Sequence, residues 1–391
     1  MVNTSIDPQS PGASRTGKPR RSSRRRVLTG SSFLILLFLG AVALLVTVPR
    51  MLGPAEKPAS LAVASLPFWN LSAGQTVLAA NRGTFNEVSP WIYGITNNGQ
   101  IVSQAPPGRT AETAAGMAQL RTLGIPLVPS IANRTNGLWA YEPVANMLHD
   151  PAAMTRHIND IVALVQRERY DGIDIDYEDL PATDRQVFTT FVTRLADALH
   201  DKNKILTIAV FAKTTDAGED GRNAGQDYAA IGKAADEVRL MAYDYNWSGS
   251  APGPVAPLPW VRDVLTYAKT QIPAEKIVLG VAVSGYDWVD GGQGEVVTWI
   301  QCFGRARAFH ATSQFDRLSQ SPYFKYTDAQ GHQHEVWYEN AESTATKLEA
   351  AKAAGIRGAF LWMISSEDDR TWATLHNILP VAAPGAEGSS R

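Results

Sequence analysis

The stretch Asp171-Gly172-Ile173-Asp174-Ile175-Asp176-Tyr177-Glu178 packs four carboxylates into eight residues. On a β-strand successive side chains alternate faces, so Asp174, Asp176 and Glu178 share one face while Ile173 and Ile175 take the other. Packing alone would not select this pattern. An unpaired buried charge is costly, and like charges within about 6 Å oppose joint ionisation. The arrangement makes sense if protons are shared and the last carboxyl is kept protonated, as a general acid requires. A calcium loop also uses D-x-D-x-E, but it needs Gly at its sixth position and Glu at its twelfth. Counted from Asp174, those positions hold Asp179 and Arg185. A solvated acidic face would not alternate with isoleucines.

The elements around this strand predict where it sits. Eight short apolar, β-rich runs recur at 61–69, 89–95, 125–132, 170–178, 204–213, 237–245, 276–284 and 357–364. Amphipathic stretches separate them, with helices expected at 111–122, 151–168, 184–200, 259–271 and 343–354. The clearest, 184–200, places Val187, Phe188, Phe191, Val192, Leu195, Ala196 and Leu199 on one side. Asp184 and Lys202 stand where they complement the ends of its dipole. This alternation predicts an α/β fold, a (β/α)8 TIM barrel over 61–380, whose active site lies at the C-terminal rim. In a barrel the two isoleucines pack under helices and the three carboxylates climb the lumen. The gap between the last two strands is too long for one helix, so residues 286–340 are expected to form a small α+β insertion. An open doubly wound sheet is the other architecture; it wants a Gly-rich phosphate turn after an early strand, and the sequence has none.

Composition bounds the rest. The chain has 391 residues with 36 Lys+Arg, 38 Asp+Glu, 45% hydrophobic residues and one Cys. A disulfide framework and a Cys-rich zinc site are excluded, and a net charge of −2 argues against nucleic acid as a partner. The charge is unevenly placed. Residues 1–26 hold seven Lys or Arg against Asp7, a net +6 that leaves −8 for the remainder. This Ser-, Pro- and Gly-rich tail reads as disordered. Residues 27–49 carry no charge at all and, at about 1.5 Å per residue, are long enough to cross a bilayer as a helix. With the arginines before it, the positive-inside rule puts residues 1–26 in the cytoplasm and everything after residue 50 outside. An uncleaved transmembrane signal anchor is the reading that fits its length best. A cleaved signal with a small-residue site at Ala62-Val63-Ala64, a twin-arginine signal at Ser23–Leu28, and a buried core helix stay open beside it. Residues 50–60 read as a linker and 381–391 as a disordered tail.

The carboxylate strand carries a resemblance. DGIDIDYE matches, at every fixed position, the DxxDxDxE signature of glycoside hydrolase family 18, the chitinase-like enzymes. Met241-Ala242-Tyr243-Asp244 resembles the M-x-Y-D at the end of the family's sixth strand, and Trp362 in GAFLWMISSEDD resembles the tryptophan closing the eighth. The stretch from Ala256 to Trp288, and PYFKYTDAQGHQHEVWYENAEST within the insertion, are similar to the branch of spore-germination and spore-cortex-lytic glycosidases. Two positions depart from the usual chitinase pattern: Ser130-Ile131-Ala132-Asn133 stands in place of S-x-G-G, and Ser284 where an aromatic residue is common.

The resemblance implies a retaining glycosidase in which the substrate's 2-acetamido group is the nucleophile. It assigns Glu178 as acid and then base, Asp176 as stabiliser of the acetamido N–H, Asp174 as its proton-sharing neighbour and Tyr243 as the residue holding the acetamido oxygen. Asp171, Met241, Asp244 and Trp362 are implied around the substrate, Asp171 by supporting the start of the strand and Trp362 as an apolar floor. The implied substrate is an N-acetylglucosamine-containing polysaccharide: chitin, peptidoglycan or an N-glycan core. Placement outside the cytoplasm favours peptidoglycan. No metal and no organic cofactor are implied. A non-catalytic carbohydrate-binding barrel is the alternative; such relatives typically lose the final Glu, and Glu178 is present.

Other residues invite blander readings. His332 and His334 stand in a polar stretch expected to be an exposed hairpin, and Cys302 is expected to pack within the insertion. Among Trp69, Trp91, Trp139, Trp247 and Trp288, some are expected to line a sugar cleft, since aromatic faces stack on pyranose rings.

Overall fold

The computed structural model describes residues 60–218 and 221–381. Eight parallel strands form a closed barrel: β1 (Leu61–Pro67), β2 (Glu87–Ile95), β3 (Ser130–Ala132), β4 (Gly172–Asp176), β5 (Ile205–Phe211), β6 (Glu237–Met241), β7 (Ile277–Ala282) and β8 (Gly358–Trp362). Each pairs with the next, and β8 returns to β1 through the register Leu61 to Gly358 and Ala64 to Leu361. All eight expected strands are present, seven of them trimmed to the part that pairs and the second beginning two residues early, at Glu87. Ala62-Val63-Ala64, considered above as a cleavage site, is the buried middle of β1; cutting there would remove the start of a barrel strand.

The five expected helices are present within two residues of their predicted ends. Pro151–Glu168 shows the local reasons: Asp150 caps it by accepting from the Ala152 and Ala153 N–H groups, Pro151 sits at its first position, and Arg169 ends it with φ 58. Met154, His157, Ile158, Ile161, Leu164 and Val165 are its buried stripe. The next helix, Arg185–His200, buries the predicted face, except that Val187 is only half-buried. Asp184 does not cap it; its carboxylate instead accepts from His149 Nε2 at 2.8 Å. Among the described residues five further α-helices, including Leu71–Ala80 and Tyr141–His149, carry no clear sequence signal because they are short or only weakly periodic.

The insertion is an α+β unit, beginning two residues earlier than expected. Strands Ser284–Val289, Gly294–Thr298, Gln314–Asp316, Ser321–Thr327 and Gln333–Tyr338 make an antiparallel sheet flanked by the helix Trp299–Ala308. It has its own core of Val297, Cys302, Phe324, Tyr326, Val336 and Tyr338. His332 lies at the exposed hairpin turn, but His334 is largely buried, stacked 4.2 Å from Tyr326 and bonded to Asp287 at 2.8 Å.

The expected anchor at 27–49, with the tail, most of the linker and the stretch after residue 381, lies outside the described residues. Among the described residues no helix is long and apolar enough to cross a membrane.

Candidate active site

The site is built upward along β4. Asp174 is register-matched to Ser130 on β3 and to Thr207 on β5, and both neighbours are hydroxyl residues. Ser130 Oγ donates to Asp174 Oδ2 at 2.7 Å and Thr207 Oγ1 to Oδ1 at 2.6 Å. From across the lumen Arg239 of β6 approaches Asp174 to 3.6 Å, pairs with Glu87, lies 3.6 Å from Glu237, and donates to Ser89 Oγ at 2.7 Å. All of these groups are buried. A row of carboxylates in a barrel lumen therefore rests on a buried guanidinium, a partner that no motif announced.

Removing one member of such a network leaves the others uncompensated. Arg239→Leu is expected to lower the unfolding free energy by about 3–5 kcal/mol at pH 7, read by urea denaturation. The deficit should shrink as pH falls and Glu87, whose carboxyl burial already pushes up, takes a proton. A loss below about 1 kcal/mol would show the network to be energetically neutral.

Asp176, two residues on, is also buried. Its Oδ2 accepts from Trp91 Nε1–H at 2.8 Å, while the buried Oδ1 has no partner among the described residues. Burial first, and then the charge of Asp174, push its carboxyl up to about 7. Asp174 and Asp176 are thus linked through charge, and Asp174 makes its hydrogen bonds to Ser130 and Thr207.

Glu178 follows just beyond the strand, half-buried and facing the lumen. Burial, then the charges of Asp176, Asp179 and Asp244, hold its carboxyl well above the usual range, against a smaller pull from Arg222. A carboxyl raised in this way keeps its proton to higher pH than an ordinary glutamate, with ionisable neighbours beside it.

The position of Glu178 is fixed by Asn133 from the loop after β3. Asn133 Oδ1 accepts from the Glu178 N–H and Nδ2 donates to the Glu178 carbonyl, both at 2.9 Å. A side-chain amide thereby extends the sheet by one residue where β4 ends and Asp179 turns away with φ 61. Asn133→Ala would leave both backbone groups unpaired and let the acid drift. It is expected to cut kcat about tenfold with little change in KM, measured by steady-state kinetics; an unchanged kcat would remove this role.

Other elements complete the walls. Tyr243, after β6, packs edge-on against Phe360 at 6.1 Å. Burial and then the nearby Asp176, Asp244 and Glu178 charges raise its phenol, so it stays an O–H donor. Asp244, with φ 57, accepts from Tyr286 of the insertion at 3.0 Å. Met241 and Trp362 pack with Tyr243 against Leu61, Val63, Val278 and Phe360. Together they enclose a cleft of about 710 Å³ at the C-terminal ends of the strands.

Of the eight residues expected here, Asp174, Asp176, Glu178, Met241, Tyr243, Asp244 and Trp362 line that cleft. Asp171 does not. It lies exposed before β4, at the opposite end, where its Oδ2 accepts from the Leu127 N–H at 2.9 Å. It supports the start of the strand and is too far down the chain to meet a ligand at the rim. Trp91, Trp139 and Trp247 line the cleft; Trp288 is fully buried in the insertion, its Nε1–H given to the Ser250 carbonyl. Ser130 and Asn133 stand in the third-strand motif noted from sequence but were given no role there; Arg134, Thr207, Arg222 and Arg239 were missed, because an isolated polar residue in or beside a strand carries no spacing signal.

The family model described as glycosyl hydrolases family 18 matches residues 60–368. The chain is 35% identical over 284 residues to the putative sporulation-specific glycosylase YdhD of Bacillus subtilis (strain 168), covering 72% of this chain and 66% of that protein. It is 32% identical over 299 residues to the cortical fragment-lytic enzyme of the same organism, covering 74% and 68%. It thus spans about two thirds of the length of each of these relatives. Among solved structures, a chitinase from Chromobacterium violaceum superposes with a TM-score of 0.76 at 31% identity, over 83% of this chain and 100% of that one. The Bacillus cereus spore cortex-lytic enzyme SleL gives 0.75 at 24% identity, over 84% and 76%, a likeness of fold.

Proposed function

The chain belongs to glycosyl hydrolase family 18, and from that premise we propose that it hydrolyses the β-1,4 bond following N-acetylglucosamine with retention, using the sugar's own acetamido group as nucleophile. The observation that carries this reading is one cleft that holds Glu178, its carboxyl raised by burial and neighbouring charge, together with Asp176 and Tyr243. Glu178 gives its proton to the glycosidic oxygen as the bond to the anomeric carbon breaks. The acetamido carbonyl oxygen forms a new bond to that carbon, giving an oxazolinium ion whose N–H is held by Asp176. Tyr243 donates to the acetamido oxygen and keeps it in line. The Glu178 carboxylate then takes a proton from water, the water oxygen bonds to the anomeric carbon as the bond from that carbon to the acetamido oxygen breaks, and Glu178 is protonated again.

The proposed substrate is bacterial wall glycan, reached from the outer side of the membrane with residues 27–49 as anchor. The relatives named for sporulation and for lysis of cortical fragments support wall glycan, and the basic block before the apolar run supports the topology. The test is digestion of N-acetylated peptidoglycan and of chitin oligomers by the detergent-solubilised chain, with products read by mass spectrometry. Fragments with new N-acetylglucosamine reducing ends support the wall reading; chitin products alone keep the mechanism and change the substrate. Binding without products from either would favour the non-catalytic barrel.

A further inference from the structure

Trp91 belongs to none of the catalytic motifs, yet it stands at the centre of the cleft's aromatic cluster. Its ring lies 5.7 Å from Trp69, 6.2 Å from Trp139 and 5.8 Å from Trp362, and the residue is 6% exposed. An indole has one polar atom, a donor. Here that donor is given to Asp176 Oδ2 at 2.8 Å.

Trp91 is itself held. The Arg134 guanidinium lies 5.3 Å from the Trp91 ring centroid and 5.8 Å from that of Trp139, and it donates to the Gly137 carbonyl. Arg134 opens a small hairpin, Arg134–Thr135 against Leu138–Trp139, whose turn uses positive φ at Asn136 and Gly137. The residue before it is Asn133, which brackets Glu178. One loop therefore fixes the acid at one end and places a cation over the indole at the other. A cation on the π face is attracted to the ring and, by polarising it, strengthens the N–H as a donor.

We propose that Trp91 is a positioning residue for Asp176 and that Arg134 is the clamp holding Trp91 in place. With Oδ2 occupied by the indole, Oδ1 is the oxygen left to accept the acetamido N–H of the bound sugar, and the carboxylate cannot rotate without losing its donor. This rests on the substrate-assisted reading above. The charged and titratable groups facing Asp176 are Asp174 from its own strand, Glu178 just beyond it, Arg134 from the loop after β3 and Tyr243 from the segment after β6. Glu178 also hydrogen-bonds the Asp176 carboxyl, but among the described residues the donor placed on Oδ2 is the Trp91 indole.

The test uses the full chain in detergent. Trp91→Phe keeps an aromatic ring and removes the N–H. It is expected to lower kcat about 30-fold, the worth of one hydrogen bond to a charged group, with KM within about twofold. Arg134→Met should lose less, and Arg134→Lys should recover part of that loss. A second readout needs no turnover: in ¹H–¹⁵N spectra of the wild-type chain the Trp91 indole N–H should move with the titration of Asp176 near pH 7. That movement should vanish in Asp176→Asn. A Trp91→Phe variant within twofold of wild-type kcat, or an indole resonance indifferent to pH, overturns the inference. If the wild-type chain cleaves neither glycan, the proposed function falls, and the indole titration alone decides the positioning role.

Discussion

Glu178→Gln is expected to abolish glycan hydrolysis while the chain stays folded and still binds sugar. The exchange is nearly isosteric, and the bonds that hold residue 178 run from Asn133 to its backbone, which the substitution leaves intact. What goes is the proton. An amide can neither protonate the leaving oxygen nor, afterwards, activate water, and positioned acid–base catalysis of this kind contributes about 10²–10⁴-fold. Wild-type kcat should fall on the alkaline side, because the acid works only while protonated and its raised carboxyl loses that proton as pH climbs. The variant's residual rate should lack this limb. Stopped assays of both chains on peptidoglycan and chitin oligomers, with circular dichroism as the folding control, decide it. Turnover by the variant within tenfold of wild type would sink the mechanism.

Asp176→Asn should produce two opposite changes in the same protein. Activity is expected to fall about 10²–10³-fold, since a neutral amide cannot stabilise the charge that develops on the oxazolinium. Stability at neutral and alkaline pH should rise. The folded chain holds the Asp176 carboxyl near 7 against an ordinary 3.8, so the native state binds that proton more tightly than the unfolded state does. The contribution to stability is fully present below about pH 4 and is lost as pH rises through 7. Asn carries no such penalty. The variant should therefore melt above wild type at pH 8, and the gap should narrow as pH is lowered towards 4. Thermal melts across that range check this. A variant less stable than wild type at pH 8 would mean that the carboxylate is stabilised by its surroundings, contrary to the burial described here.

The sequence by itself determined the barrel and the direction of its chemistry. The period-two alternation in DGIDIDYE placed three carboxylates on one face, and β-rich runs separated by amphipathic stretches placed that face inside a ring of eight strands. These signals are legible because they are local: each depends on residues a few positions apart. Tyr243 and Trp362 were legible only through the family resemblance, in short motifs at or just after the ends of two strands.

Tertiary structure alone decided what makes the carboxylates tolerable and useful. Arg239 meets Glu87 across 152 positions of chain, Trp91 reaches Asp176 across 85, and Asn133 brackets Glu178 across 45. Arg239 and Trp91 have no spacing signature, and the motif position of Asn133 does not name its partner, because barrel closure and strand register bring these pairs together. The same closure removed Asp171 from the site: in sequence it is the first residue of the signature, but a strand has two ends, and only one of them opens on the cleft.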